Sequence, residues 1–167
     1  RRLSATGYVE WVLGDLREQN AQHVHTELAA DNGALYARNR YSNDFGDWIG
    51  FFDVDPADRV SGSVTADREE FIGRNGSLAS PAAMRRKRLS GRTGAGLDPC
   101  AALQARIELA AGQTREIVFV FGAARNADEA RHFIQRFGGR ASARQALETV
   151  WEHWNHTLGA VNVDTPD

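Results

Sequence analysis

Strand-like alternation fills the first two-thirds of the chain and gives way to a helical period near its end. Leu3, Ala5, Val9, Trp11 and Leu13 fall on one face of an opening extended segment, and only Gly7 breaks the apolar series. Further strands are predicted at His23–Leu28, Ala34–Asn39, Trp48–Asp53, Val60–Thr65, Ala101–Leu109 and Arg115–Gly122. Turn residues separate them at Asp31-Asn32-Gly33, Asn43-Asp44-Phe45-Gly46, Asp55-Pro56 and Ala111-Gly112. The last two strands read as a hairpin joined through Gly112. In the second of them Ile117, Phe119 and Phe121 share one face, while Val118 and Val120 make the other apolar. That strand is therefore expected to be buried on both sides. Many short antiparallel strands at this spacing predict a mainly β fold, an antiparallel β-sandwich, over residues 1–124.

Residues 125–160 read as two linker helices. Asn126 is placed as an N-cap with Glu129 completing a capping box, and Ala130, Phe133, Ile134 and Phe137 form an apolar stripe ended by Gly138-Gly139. Ser142 and Gln145 suggest a second capping box. Leu147, Val150, Trp151, Trp154 and Leu158 make a second stripe, closed by Gly159. Two Trp residues on one helix call for a large docking surface, either this sandwich or a following domain. Residues 161–167 read as a tail.

The segment between the fifth and sixth strands, residues 67–98, breaks the pattern. It has no sustained period and is rich in Gly, Ser, Ala and Pro. From Phe71 to Leu97 it holds six basic residues and no acidic one. Free backbone amides and concentrated positive charge suit an anionic or heavily hydroxylated ligand.

Composition narrows the choices. The 167 residues are 42% hydrophobic and 25% charged, which fits one soluble globular domain. A net charge of −2 argues against dedicated nucleic-acid binding, although Arg85-Arg86-Lys87-Arg88 taken alone would suit RNA or another anion. Cys100 is the single cysteine, so no intrachain disulfide can form. No apolar run approaches the ~20 residues that span a bilayer. The absence of an initiator Met and of any lead-in to the first strand suggests a piece of a longer polypeptide.

Metal and nucleophile patterns are weak. His23 and His25 alternate onto one face of a predicted strand, and His153 and His156 share a helix face, but neither pair has a third ligand in view. Asp53, Asp55 and Asp58 lack the Gly and Glu that a calcium loop requires. Asp67, Glu69 and Glu70 read as a charged turn. Gly91, Gly94 and Gly96 match no nucleotide fingerprint and read as a tight turn or an anion nest. Ser77, Ser80, Ser90 and Cys100 have no base beside them in sequence.

The run Asp67-Arg68-Glu69-Glu70-Phe71-Ile72-Gly73-Arg74-Asn75-Gly76-Ser77-Leu78, followed by Leu89-Ser90-Gly91-Arg92 and Gly94-Ala95-Gly96-Leu97-Asp98-Pro99-Cys100, resembles the β-sandwich domain of glycoside hydrolase family 94. Tyr8–Gly14, Ala37-Arg38-Asn39 and Phe45-Gly46 extend the likeness to nearly the whole chain. It is strongest toward the cyclic β-1,2-glucan synthases, and the cellobiose and chitobiose phosphorylases belong to the same family. The resemblance implies part of a β supersandwich, linker helices, and then a catalytic (α/α)₆ barrel that this sequence does not contain. It implies an inverting phosphorolysis of β-glucosidic bonds with inorganic phosphate as co-substrate and no cofactor. No catalytic residue transfers to this chain, so the piece alone is expected to be inactive. Arg68, Arg74, Asn75 and Arg92 are the expected contacts to a β-glucan or glucooligosaccharide, near a loop that in the family reaches a partner subunit of a homodimer. This part is expected to be soluble and cytoplasmic without direct membrane contact, in a parent anchored in the inner membrane. The alternative from the residues alone is an autonomous carbohydrate-binding module using Trp11, Tyr36, Tyr41 and Trp48.

Overall fold

The computed structural model describes residues 1–59 and 62–159, with the side chain of residue 59 left out. Seven strands form two antiparallel sheets: β1 (Arg2–Glu10), β2 (His25–Leu28), β3 (Leu35–Arg38), β4 (Ile49–Val54), β5 (Ser63–Asp67), β6 (Pro99–Glu108) and β7 (Phe119–Ala124). One sheet has the order β1-β6-β5 and the other β2-β3-β4-β7. Three short helices lie in the connections: α1 (Arg17–Asn20), α2 (Pro56–Arg59) and α3 (Arg68–Ile72). Two longer ones follow the strands, α4 (Ala127–Phe137) and α5 (Arg140–Leu158).

The predicted sandwich is present, and period-2 alternation sorts its residues into layers. Ala101, Leu103 and Ala105 of β6 face Leu35, Ala37, Phe52 and Val54 of the opposing sheet, with Trp11 and Val24 closing the core. The other face of β4 packs Ile49 and Phe51, with Tyr36, against Ala130 and Ile134 of α4. The outer face of β6 packs Ala102 against Phe71, Ile72, Ala83 and Leu89 of the 67–98 segment. The order of layers is thus segment, three-stranded sheet, four-stranded sheet, helix. Gly7 breaks the apolar face of β1 because two rings enter there. A Cβ on Gly7 would lie 2.7 Å from both Phe52 and Phe119.

Several expectations need correction. β6 and β7 are not a hairpin. Both edges of β6 are taken, by β1 and β5, so the chain crosses to the other sheet and β7 pairs with β4. β7 is an edge strand rather than one buried on both sides, and Phe121 is 61% exposed. The first strand ends at Glu10, and the backbone at Leu13 has φ +43°, outside the strand region. His23 lies in a 3₁₀ turn, Ala21–His23, and so does not alternate with His25 on β2. Ser142 caps nothing: Gly139, at φ +84°, lets α5 begin at Arg140, which places Ser142 inside the helix. The Asn126 cap does form, its side chain accepting from the Glu129 N–H at 2.9 Å. The start of the strand expected at Val60 and the tail 161–167 lie outside the described residues.

Candidate functional site

The 67–98 segment is folded rather than loose, and its own sequence explains its first turn. Asp67 sits in extended conformation and accepts from the N–H groups of Glu69 and Glu70, capping α3. Gly73, at φ +91°, ends the helix after five residues. Phe71 and Ile72 are the buried residues of α3, and the Phe71 ring stacks on Tyr8 with centroids 4.5 Å apart.

The two ends of the segment meet. The Arg68 N–H donates to the Asp98 carbonyl at 2.8 Å, and the side chains close a mixed ion-pair network over that junction. Arg68 Nε donates to Glu10 Oε1 at 2.8 Å and Arg68 Nη1 to Asp98 Oδ2 at 3.3 Å. Arg17 bonds Asp98 as well, and its Nε lies 3.4 Å from Glu10 Oε2. Burial pushes the Glu10 carboxyl up, but hydrogen bonds from Arg68 and Tyr8 and the nearby guanidinium charges outweigh it, holding the group below its ordinary range. The same hydrogen bond from Arg68 to Glu10 raises the Arg68 guanidinium.

A second junction centres on Glu70. Its carboxylate accepts from Thr65, from Ser90 Oγ at 2.5 Å and from Arg86 Nη1 at 2.8 Å. Burial again acts upward, and the hydrogen bonds from Ser90 and Thr65 overcome it, so the carboxyl lies below its ordinary value. Ser90 therefore has a carboxylate beside it, which sequence reasoning missed because the two are 20 positions apart. The Glu70 carboxylate is thus engaged by Thr65, Ser90 and Arg86 together, and the Ser90 contact ties the end of the segment to its start. Cys100 is fully buried, and that burial raises its thiol well above the ordinary value, leaving little nucleophile.

The four expected contact residues separate into two groups. Arg68 is engaged at the stem, and Arg92 pairs with the buried Asp67 at 2.5 Å. Arg74 and Asn75 are exposed at the corner of a turn closed by the Gly76 N–H donating to Gly73 O at 3.0 Å. Arg74 forms no hydrogen bond or ion pair among the described residues. Arg86 and Arg88 turn inward, to Glu70 and to the Gly62 carbonyl. The anion-nest reading of the glycines loses two of its three donors, since Gly91 N–H bonds Val64 O and Gly94 N–H bonds Thr26 Oγ1.

This pairing of sandwich and basic segment has a counterpart among known families. The profile described as glycosyl hydrolase 94, supersandwich domain, matches residues 1–140. The chain belongs to that family. Among curated proteins, the supersandwich chain is 36% identical over 168 residues to the cyclic β-(1,2)-glucan synthase NdvB of Rhizobium meliloti (strain 1021). It is 27% identical to a cellobionic acid phosphorylase of Neurospora crassa and 24% identical to an N,N'-diacetylchitobiose phosphorylase of Vibrio furnissii. All of this chain is covered in each case, but it spans 6% of the synthase's length and 21% of each phosphorylase's.

Two surfaces of the supersandwich chain remain open. On α5, Leu147, Val150, Trp151, Trp154 and Leu158 are each 47–69% exposed, so the sandwich is not the surface on which this stripe docks. Of the four aromatics named for a binding platform, Trp11 and Tyr36 are buried, whereas Tyr41 and Trp48 are exposed. Among the described residues no three His, Cys, Asp or Glu side chains are grouped to hold a metal ion, and no helix is long and apolar enough to cross a membrane.

Proposed function

We propose that this chain is the non-catalytic supersandwich portion of a carbohydrate-active enzyme of the glucan synthase and phosphorylase kind. In this reading it supports a catalytic helical domain and offers the Arg74–Asn75 turn to the sugar site. The observation that carries the reading is the α5 stripe. Five apolar side chains, two of them Trp, stand open on the last described helix of a chain that makes up only 6–21% of its relatives' lengths. An open apolar surface with two indoles is suited to burial against a further domain.

The ionic chemistry supports the same division of labour. Glu10, Asp67, Glu70 and Asp98 are bound to arginines of the chain itself, which favours a structural role for them over acid–base work. Arg74 is free to hydrogen-bond sugar hydroxyls or phosphate, in its own subunit or across a dimer. Arg68 and Arg92 then position the turn by holding the base of the segment.

The test has two parts. The 167-residue chain incubated with linear β-1,2-glucooligosaccharide and inorganic phosphate is expected to release no glucose 1-phosphate, and turnover would overturn the non-catalytic assignment. In a longer enzyme carrying this domain, Arg74→Ala is expected to lower kcat/KM without moving Tm. Unchanged kinetics would remove Arg74 from the sugar site. The exposure of Tyr41 and Trp48 favours a second reading, a carbohydrate-binding module that acts without the barrel.

A further inference from the structure

The outer face of the four-stranded sheet is only partly covered. α4 lies over Tyr36, Ile49 and Phe51. At the other end of the face, His25, Glu27 and Arg38 point outward because Thr26 and Ala37 alternate into the interior. Two cavities meet there, both lined by Arg38 and Arg40. One, of about 490 Å³, adds His23, His25 and Glu27. The other, of about 510 Å³, adds Asn43, Asp44, Asp47 and Trp48. Both volumes lie within the range of small-ligand sites.

Rings edge this depression. Tyr41, 74% exposed, stacks on His23 with centroids 4.1 Å apart. Trp48 is held edge-on by Phe45 at 6.2 Å. Where the cavities join, Arg38 Nη2 reaches Glu27 Oε1 at 3.2 Å, while the buried Arg38 Nε has no acceptor. Charge narrows the ligand further. Two arginines stand among Glu27, Asp44 and Asp47, so an anion or a cation would meet like charge at close range. Hydroxyl groups both donate and accept, and so suit acidic and basic partners alike. The Trp48 ring, which lines the second cavity, supplies the apolar contact that the C–H face of a pyranose ring needs.

We infer that the Arg38–Arg40–Trp48 depression is a binding subsite for a neutral gluco-oligosaccharide. It lies on the opposite side of the sandwich from the Arg74–Asn75 turn. The choice of glucan rests on the function proposed above, and the ligand class rests on the depression's own geometry. The subsite would hold a glucan chain away from the reacting bond.

The test is an amide-resonance titration of the 167-residue chain with linear β-1,2-glucooligosaccharide, run in parallel with inorganic phosphate. Saturable shifts at Arg40, Asn43, Gly46 and the Trp48 indole N–H are expected with the sugar and not with phosphate. Trp48→Ala is expected to weaken binding about tenfold with spectral dispersion retained. Arg40→Ala, at an exposed position, should weaken it too and serves if the Trp48 variant misfolds. Shifts confined to the Arg74–Asn75 turn would overturn the subsite and leave the proposed function standing. A dispersed spectrum unmoved by sugar would also overturn it, and the turnover and kcat/KM assays would then judge the proposed function separately. Matching shifts with phosphate would make the depression an anion site. Shifts on dilution alone would make it a contact between copies of the chain. Either result overturns the inference.

Discussion

Replacing Phe71 by Ala tests whether the basic segment is an integral layer of the domain. Phe71 is 3% exposed and packs among Ile72, Ala83, Leu89, Ala102 and Tyr8. Truncating a buried Phe costs about 3–5 kcal/mol through lost transfer energy and the cavity left behind. Within that total, the stack on Tyr8 contributes roughly 0.5–1.5 kcal/mol beyond its buried area. The upper half of the range is expected here. A helix of five residues cannot sustain itself, and Phe71 is one of two side chains that anchor α3. The loss would take a large share of the roughly 5–15 kcal/mol that holds a typical domain together. Urea unfolding followed by Trp fluorescence reads the change as a lower midpoint at constant slope. A double-mutant cycle with Tyr8→Ala should return a coupling of about 0.5–1.5 kcal/mol. A cost below about 0.5 kcal/mol, the level of a surface change, would show the segment unpacked and refute the layer.

Gly7→Ala should destabilise by about 1–3 kcal/mol, because its Cβ would press on Phe52 and Phe119; a thermal melt matching the parent would show that the two rings have room to move. Acid should also weaken the fold. Glu10 and Glu70 titrate below their ordinary value of 4.5 when folded, so their contribution is complete above that value and is lost as pH falls through the folded pKa. Glu70→Gln should flatten the acid limb of a stability–pH profile, and an unchanged limb would mean that Glu70 gains nothing from Ser90, Thr65 and Arg86.

What the sequence revealed followed the range of each signal. Alternation along β3, β4 and β6 and the Asn126 cap are set by neighbours within a few positions, and both could be read directly. The expected β6–β7 hairpin failed because nearness in sequence says nothing about which edges are already occupied, and β1, from the far end of the chain, takes one of them. Ser142 misled because the helix start was decided by the backbone of Gly139. The family likeness drew attention to Arg68, Arg74, Asn75 and Arg92 together. Their division into stem and turn depends on partners such as Glu10, 58 positions from Arg68, and no local pattern could show it. The depression at Arg38 was equally hidden, since two strands and the 41–48 turn must fold before its lining residues meet.

The pairing of β1 with β6 sets an order of events in time. Arg2 pairs with Glu108 and Glu10 with Cys100, so β1 has no partner until about a hundred further residues have been made. At about 5–20 residues per second, a ribosome leaves β1 without its sheet for roughly 5–20 s. Such distant pairing also makes folding slow, since a large loop must close before any contact repays it. A nascent chain of this kind gains from a chaperone that covers β1 until β6 has been made.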